Sequence, residues 1–164
     1  MTNTLKQNPQ TKDSKTDLSN ALSVSDALGK VLSDTYRLVL KSHVYHWNVT
    51  GPLFVSVHDI TEQQYTDMFA AADVLAERIR ALGKPALISP AGLAAGPDGQ
   101  DLNAGLSAEE MVKDLLSDHE ALAESMRALV ETAESAQDPV TADLATERAG
   151  FHEQAAWMLR AIAS

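Results

Sequence analysis

The sequence predicts an all-α fold, a four-helix bundle with one long crossover between the second and third helices. Three observations carry that prediction. Apolar residues recur at helical spacing through four separate stretches, and no run alternates apolar and polar as a half-buried strand would. Capping residues and breakers punctuate the chain where those stretches begin and end. One connection, residues 84–106, is far longer than the others.

Residues 1–22 are rich in Asn, Gln, Thr, Ser and Lys without an apolar period, which predicts a flexible polar tail ahead of a bundle domain over 23–164. From Ser25, which offers an N-cap, to Asn48, the positions Leu28, Val31, Leu32, Tyr36, Leu38, Val39, His43 and His46 recur at helical spacing. Gly51-Pro52 breaks that pattern. A second helix is expected from about Ser56 to Leu82, with Gly83 as its stop and Pro85 beyond. The Pro- and Gly-rich stretch 84–106 must then cross the length of something or serve an interface. Ser107-Ala-Glu-Glu110 is a capping-box pattern and opens a third helix, to about Glu134. Asp138-Pro139 places an N-cap before a first-turn proline and opens a fourth, to about Ala163. Short links make the first and second helices antiparallel neighbours, and likewise the third and fourth. The long link carries the chain back across the bundle, as in ferritin-like folds.

Composition narrows the chemistry. The chain has 164 residues and 45% hydrophobic content, enough for one domain with a core. No apolar run approaches the ~20 residues of a membrane span. The N-terminus lacks the apolar stretch of a secretory signal, so a soluble, cytoplasmic protein is expected. The absence of cysteine excludes disulfides, thiolate metal sites and thiol catalysis. A net charge of −10 repels nucleic acid on average and attracts cations, although it also simply serves solubility.

A ferritin-like bundle usually builds an internal di-iron site from Glu-x-x-His pairs. Of His43, His46, His58, His119 and His152, none has a Glu three residues earlier, so that internal site has no ligands here. The second helix offers an alternative. His58 and Glu62 are spaced i,i+4, as are Asp73 and Glu77. Fifteen steps of ~100° bring residue 73 back to within about 60° of residue 58, so both pairs lie along one stripe. Glu62 and Asp73 nevertheless sit roughly 16 Å apart along the axis, while metal–ligand bonds are about 2 Å. One copy of the helix cannot close the site. A second copy, antiparallel about a two-fold axis near residues 67 and 68, sets His58 and Glu62 of one chain against Glu77 and Asp73 of the other, twice per dimer. His46, at the end of the first helix, completes the histidine end.

Two imidazoles and three carboxylates suit Fe(II), Mn(II) or Zn(II). Trp47 is placed to pack over the site or to donate its indole N–H. Each part also has a plain structural reading. The acidic pair suits a solvated face, His58 and Glu62 suit a surface pair, and His46 beside Trp47 suits packing.

The run His46-Trp47-Asn48-Val-Thr-Gly51-Pro52, with Val57-His58-Asp59, Ala76-Glu77-Arg78 and Leu82-Gly83, resembles the Dps family of mini-ferritins (DNA-binding proteins from starved cells) from about residue 22 onward. The resemblance implies a hollow homo-dodecamer built from two-fold dimers. It implies oxidation of Fe(II) by hydrogen peroxide, or by dioxygen, with storage of ferric iron and protection of DNA. It assigns the ferroxidase ligands to His46, His58, Glu62, Asp73 and Glu77, with Zn or Mn as competing metals. Glu62 departs from the family, where Asp is frequent, and its longer side chain changes the reach of that ligand. His43 becomes a supporting group or an alternate ligand, or else a packed interface histidine. Asp138, Asp143 and Glu147 resemble an acidic iron-entry pore, or else are first-turn acids favouring the helix dipole. His119 and His152 match nothing in the family pattern.

Direct DNA binding is the weakest implication, because Lys6, Lys12 and Lys15 in the tail are offset by Asp13 and Asp17. Nucleoid association depends on it. The competing readings are an architectural DNA-compacting shell with a structural metal site, and a buffer that holds zinc or manganese without redox turnover.

Overall fold

The structure, a computed structural model, describes residues 18–88 and 105–163. They form four helices: α1 (Leu18–Asn48), α2 (Phe54–Ala81), α3 (Ala108–Ser135) and α4 (Pro139–Ile162). There is no strand among the described residues.

Contacts between named side chains give the direction of each helix. His46 meets His58, His43 meets Tyr65 and Tyr36 meets Phe69, so α2 runs antiparallel to α1. Glu120 pairs with Arg160 and Arg127 with Glu153, so α4 runs antiparallel to α3. Lys41 reaches Asp118 at 2.6 Å while Tyr45 reaches Asp114 at 2.5 Å, which sets α3 antiparallel to α1. Therefore α2 and α3 are parallel, and the chain between them must return along the bundle. That is the crossover the sequence predicts. Its middle, residues 89–104, lies outside the described residues, as does the expected tail up to residue 17.

The helix ends follow the chemistry of their caps. Gly83 takes φ +79, and the amides of Gly83 and Lys84 bond back to the carbonyls of Arg80 and Ile79, closing α2 with a Schellman turn. The capping box of α3 is formed, with Ser107 and Glu110 each accepting from the other's backbone N–H. The end of α3 repeats the Schellman pattern, but Gln137, not glycine, holds the positive φ of 58.

Two boundaries differ from expectation. α1 begins at Leu18, seven residues before Ser25, because Ala21 and Val24 extend its buried stripe backward. Residues 18–22, expected as tail, are helical, and Ser25 is a buried interior residue, not a cap. α2 begins at Phe54, with no side-chain cap at Leu53.

The core is built from Leu28, Leu32, Leu38, Met68, Leu75, Met111, Leu115, Met126, Leu129 and Leu159, all nearly inaccessible. Each such side chain contributes roughly 1.5–3 kcal/mol by leaving water. No helix is long and apolar enough to cross a membrane among the described residues.

Candidate metal centre

α1 and α2 meet at a tight turn. Gly51 there takes φ +87, a conformation costly for any residue with a side chain. The turn brings His46 and His58 together as a reciprocal pair. His46 Nδ1–H donates to the carbonyl of His58 at 2.9 Å, and His58 Nδ1–H donates to the carbonyl of His46 at 3.0 Å. The His46 carbonyl is free to accept because it lies in the last turn of α1, beyond the reach of the helical ladder. A carbonyl only accepts, so each proton sits on Nδ1 and each Nε2 keeps its lone pair. A histidine with Nδ1–H held by a carbonyl and a bare Nε2 is set up to ligate metal. The two rings stack at 3.7 Å with 17° between their planes.

Neighbouring groups brace this pair. Phe54 stacks on His58 at 5.0 Å. Tyr65 meets His46 edge-on at 5.4 Å and stacks on His43 at 3.9 Å. Thr61 Oγ1 lies 3.3 Å from His46 Nδ1 and is itself anchored to the Val57 carbonyl at 2.6 Å. Sequence reasoning missed these three residues. Phe54 is four residues before His58 on the same helix face, a signal that was present. Tyr65 and Thr61 depend on contact between helices.

The remaining expected ligands lie elsewhere on α2. Glu62, Asp73 and Glu77 are all exposed. No three His, Asp or Glu side chains gather closely enough to hold a metal ion among the described residues of one chain. His43 donates from Nδ1 to the Val39 carbonyl at 3.1 Å and stacks on Tyr65, so it supports the pair through that tyrosine. Within one chain Trp47 does not cover the pair. It lies 68% exposed, with its ring 5.4 Å from His43.

Asp138, expected among the pore acids, is 2% exposed and engaged. It caps α4 and accepts from Arg78 at 2.6 Å and from the Thr141 hydroxyl at 2.6 Å. An N-cap carboxylate facing an arginine is drawn inward, away from any lining. Asp143 and Glu147 are exposed one and two turns further along.

A profile of the ferritin-like domain matches residues 25–164. Among relatives, the chain is 33% identical to DNA protection during starvation protein 2 of Bacillus anthracis, over 84% of this chain and 94% of that protein. It is 37% identical to an uncharacterised low temperature-induced protein of Nostoc sp., over 84% of this chain and 78% of that one. Among solved structures, a Dps protein from Bacillus brevis superposes with a TM-score of 0.80 at 30% identity, covering 89% of this chain and 98% of that one. The tetragonal form of Mycobacterium smegmatis Dps gives 0.82 at 30% identity, covering 90% of each chain. Fold and matched domain define the class as a ferritin-like four-helix bundle protein. Within that class, the chain belongs to the Dps family of mini-ferritins.

Proposed function

We propose that this chain is a ferroxidase. It oxidises Fe(II) with hydrogen peroxide at sites shared between two subunits and stores the ferric product in a hollow cytoplasmic dodecamer, so protecting DNA. The observation that carries this reading is the reciprocal His46–His58 pair, with two fixed rings and two bare Nε2 atoms. On the same helix, Glu62, Asp73 and Glu77 lie exposed along the stripe that begins at His58. Phe69, 59% exposed, falls within about 20° of that stripe and sits beside the supposed two-fold axis. Exposed apolar area amid carboxylates suits a face covered by a second copy. Iron enters as substrate and leaves as stored product.

In this reading His46, His58 and Glu62 of one subunit face Asp73 and Glu77 of its mate. The imidazoles fix position, while the carboxylates accommodate the rise in charge from Fe(II) to Fe(III). Each peroxide takes two electrons, one from each of two Fe(II), and leaves as water or hydroxide, so no hydroxyl radical is released. Asp143 and Glu147 line the iron-entry path. Zinc and manganese compete for the same ligands. Protection of DNA works by removing Fe(II) and peroxide rather than by contact, because a shell with roughly a hundred negative charges is repelled by phosphate.

The test is a His58→Ala, Asp73→Ala double variant. Loss of peroxide-dependent Fe(II) oxidation, with the assembly unchanged by light scattering, supports the reading. Unchanged oxidation sinks it.

A further inference from the structure

The centre of the bundle holds a histidine pair that plays no part in the function above. His119 of α3 and His152 of α4 are both fully buried, and their Nδ1 atoms lie 2.9 Å apart. Such a contact requires one ring to donate and the other to accept. The neutral pair therefore carries two ring protons, one in the shared bond and one on the acceptor ring's Nε2. Both Nε2 atoms are buried with no hydrogen-bond partner in the structure.

Charged groups from each packed element leave the pair without an acid. From α4, Arg148 is 6% exposed one turn away, with its guanidinium 4.3 Å over the Phe151 ring. From α2, Asp67 is paired to Arg148 at 2.7 Å, and buried Gln64 is neutral. From α1 and α3, Lys41, Asp114 and Asp118 are engaged with one another. The charge nearest the rings is thus positive, and no carboxylate balances a proton added to either.

We propose that the His119–His152 pair is an acid latch between α3 and α4, closed while the rings share a proton and opened when they take up more. The first added proton goes to the donor ring's free Nε2, which has nothing to donate to. The second must occupy the acceptor's Nδ1, leaving two N–H groups facing each other where one bond had been. Both steps bury positive charge beside Arg148.

Burial first, then Arg148, lowers His119 to about 4, and burial, His119 and Arg148 lower His152 as well. In the unfolded chain a histidine titrates near ~6.5. Below that value the unfolded state binds more protons than the folded one, so stability falls as pH falls. The window runs from about 6.5 down to about 4. Within it the unfolded-to-folded ratio rises about tenfold per pH unit for each ring, or about a hundredfold for the pair.

The test uses the full chain in its native assembly, with urea unfolding followed by helical circular dichroism between pH 7.5 and 4.5. A His119→Gln, His152→Gln double variant removes the titrating rings but keeps polar side chains there. The wild type is expected to lose stability steeply below pH 6.5, and the variant to lose about a hundredfold less per pH unit. Equal slopes overturn the proposal. Should the variant not fold, proton uptake on unfolding wild type at pH 5.5 decides. An uptake of about two protons supports the latch, and an uptake near zero overturns it.

Discussion

Arg78 binds Asp138 with its guanidinium at 2.6 Å and the Thr141 hydroxyl with its Nε at 2.8 Å, fastening the end of α2 to the first turn of α4. The carboxylate also receives the Thr141 amide at 3.1 Å, so one buried group caps a helix and joins two helices.

Replacing Arg78 by Ala removes the cation beside that carboxylate and leaves it only the Thr141 donors, which should cost about 3 kcal/mol, read as a lower urea midpoint at pH 7. Burial alone would raise the Asp138 carboxyl, but the hydrogen bonds from Arg78 and Thr141 outweigh it and hold it below its ordinary value. A depressed carboxyl contributes stability above the unfolded value of ~3.9 and loses it as pH falls further. The gap between wild type and Arg78→Ala should therefore narrow below about pH 4. A gap that stays constant to pH 3 would contradict this account.

A site shared between two subunits, as proposed, makes a quantitative prediction. Chains carrying His58→Ala and chains carrying Asp73→Ala should each be inactive in Fe(II) oxidation. Dissociated and reassembled together at equal amounts, half the dimers are mixed, and each mixed dimer regains one of its two sites. Activity should return to about a quarter of wild type by symmetry alone. No recovery would mean that each subunit carries its own complete site.

Gln137 holds a left-handed backbone conformation that glycine adopts freely. Its side chain is exposed, so Gln137→Gly removes strain without removing packing. The variant should gain about 1 kcal/mol, a rise in Tm of roughly 2–4 °C by calorimetry. A lower Tm would show that the strain lies elsewhere.

Protection without contact is testable by gel shift at low salt. The intact assembly should leave linear DNA unretarded, and deleting residues 1–17 should change nothing. Tight retention that disappears with the deletion would show that the three tail lysines act together despite the net charge of −10.

The helices were legible because their signals are local. Gly83, Ser107 with Glu110, and Asp138-Pro139 each act within one turn of chain, and all three mark a helix end. The start of α1 was not legible. Ala21 and Val24 are too few and too small to extend a visible stripe through a polar stretch, yet both pack against the bundle. The meeting of His46 and His58 could be read from the twelve-residue spacing across a tight turn. The bond of each ring to the other's backbone could not, since it depends on the crossing of two helices. The inward turn of Asp138 was not legible for a related reason. Its acidity is visible in the sequence, but Arg78 lies sixty residues away. His119 and His152 each occupy an apolar stripe, which signals burial but does not reveal that they face each other.

The exchange of hydrogen bonds between His46 and His58 is also a register gauge. Sliding α1 past α2 by a single residue would break both bonds at once, since each ring needs the other's carbonyl at one fixed height. Whatever the two bare nitrogens bind therefore meets donors whose aim was set during folding. It loses little side-chain freedom on arrival, and a misaligned hairpin has no binding pair to offer.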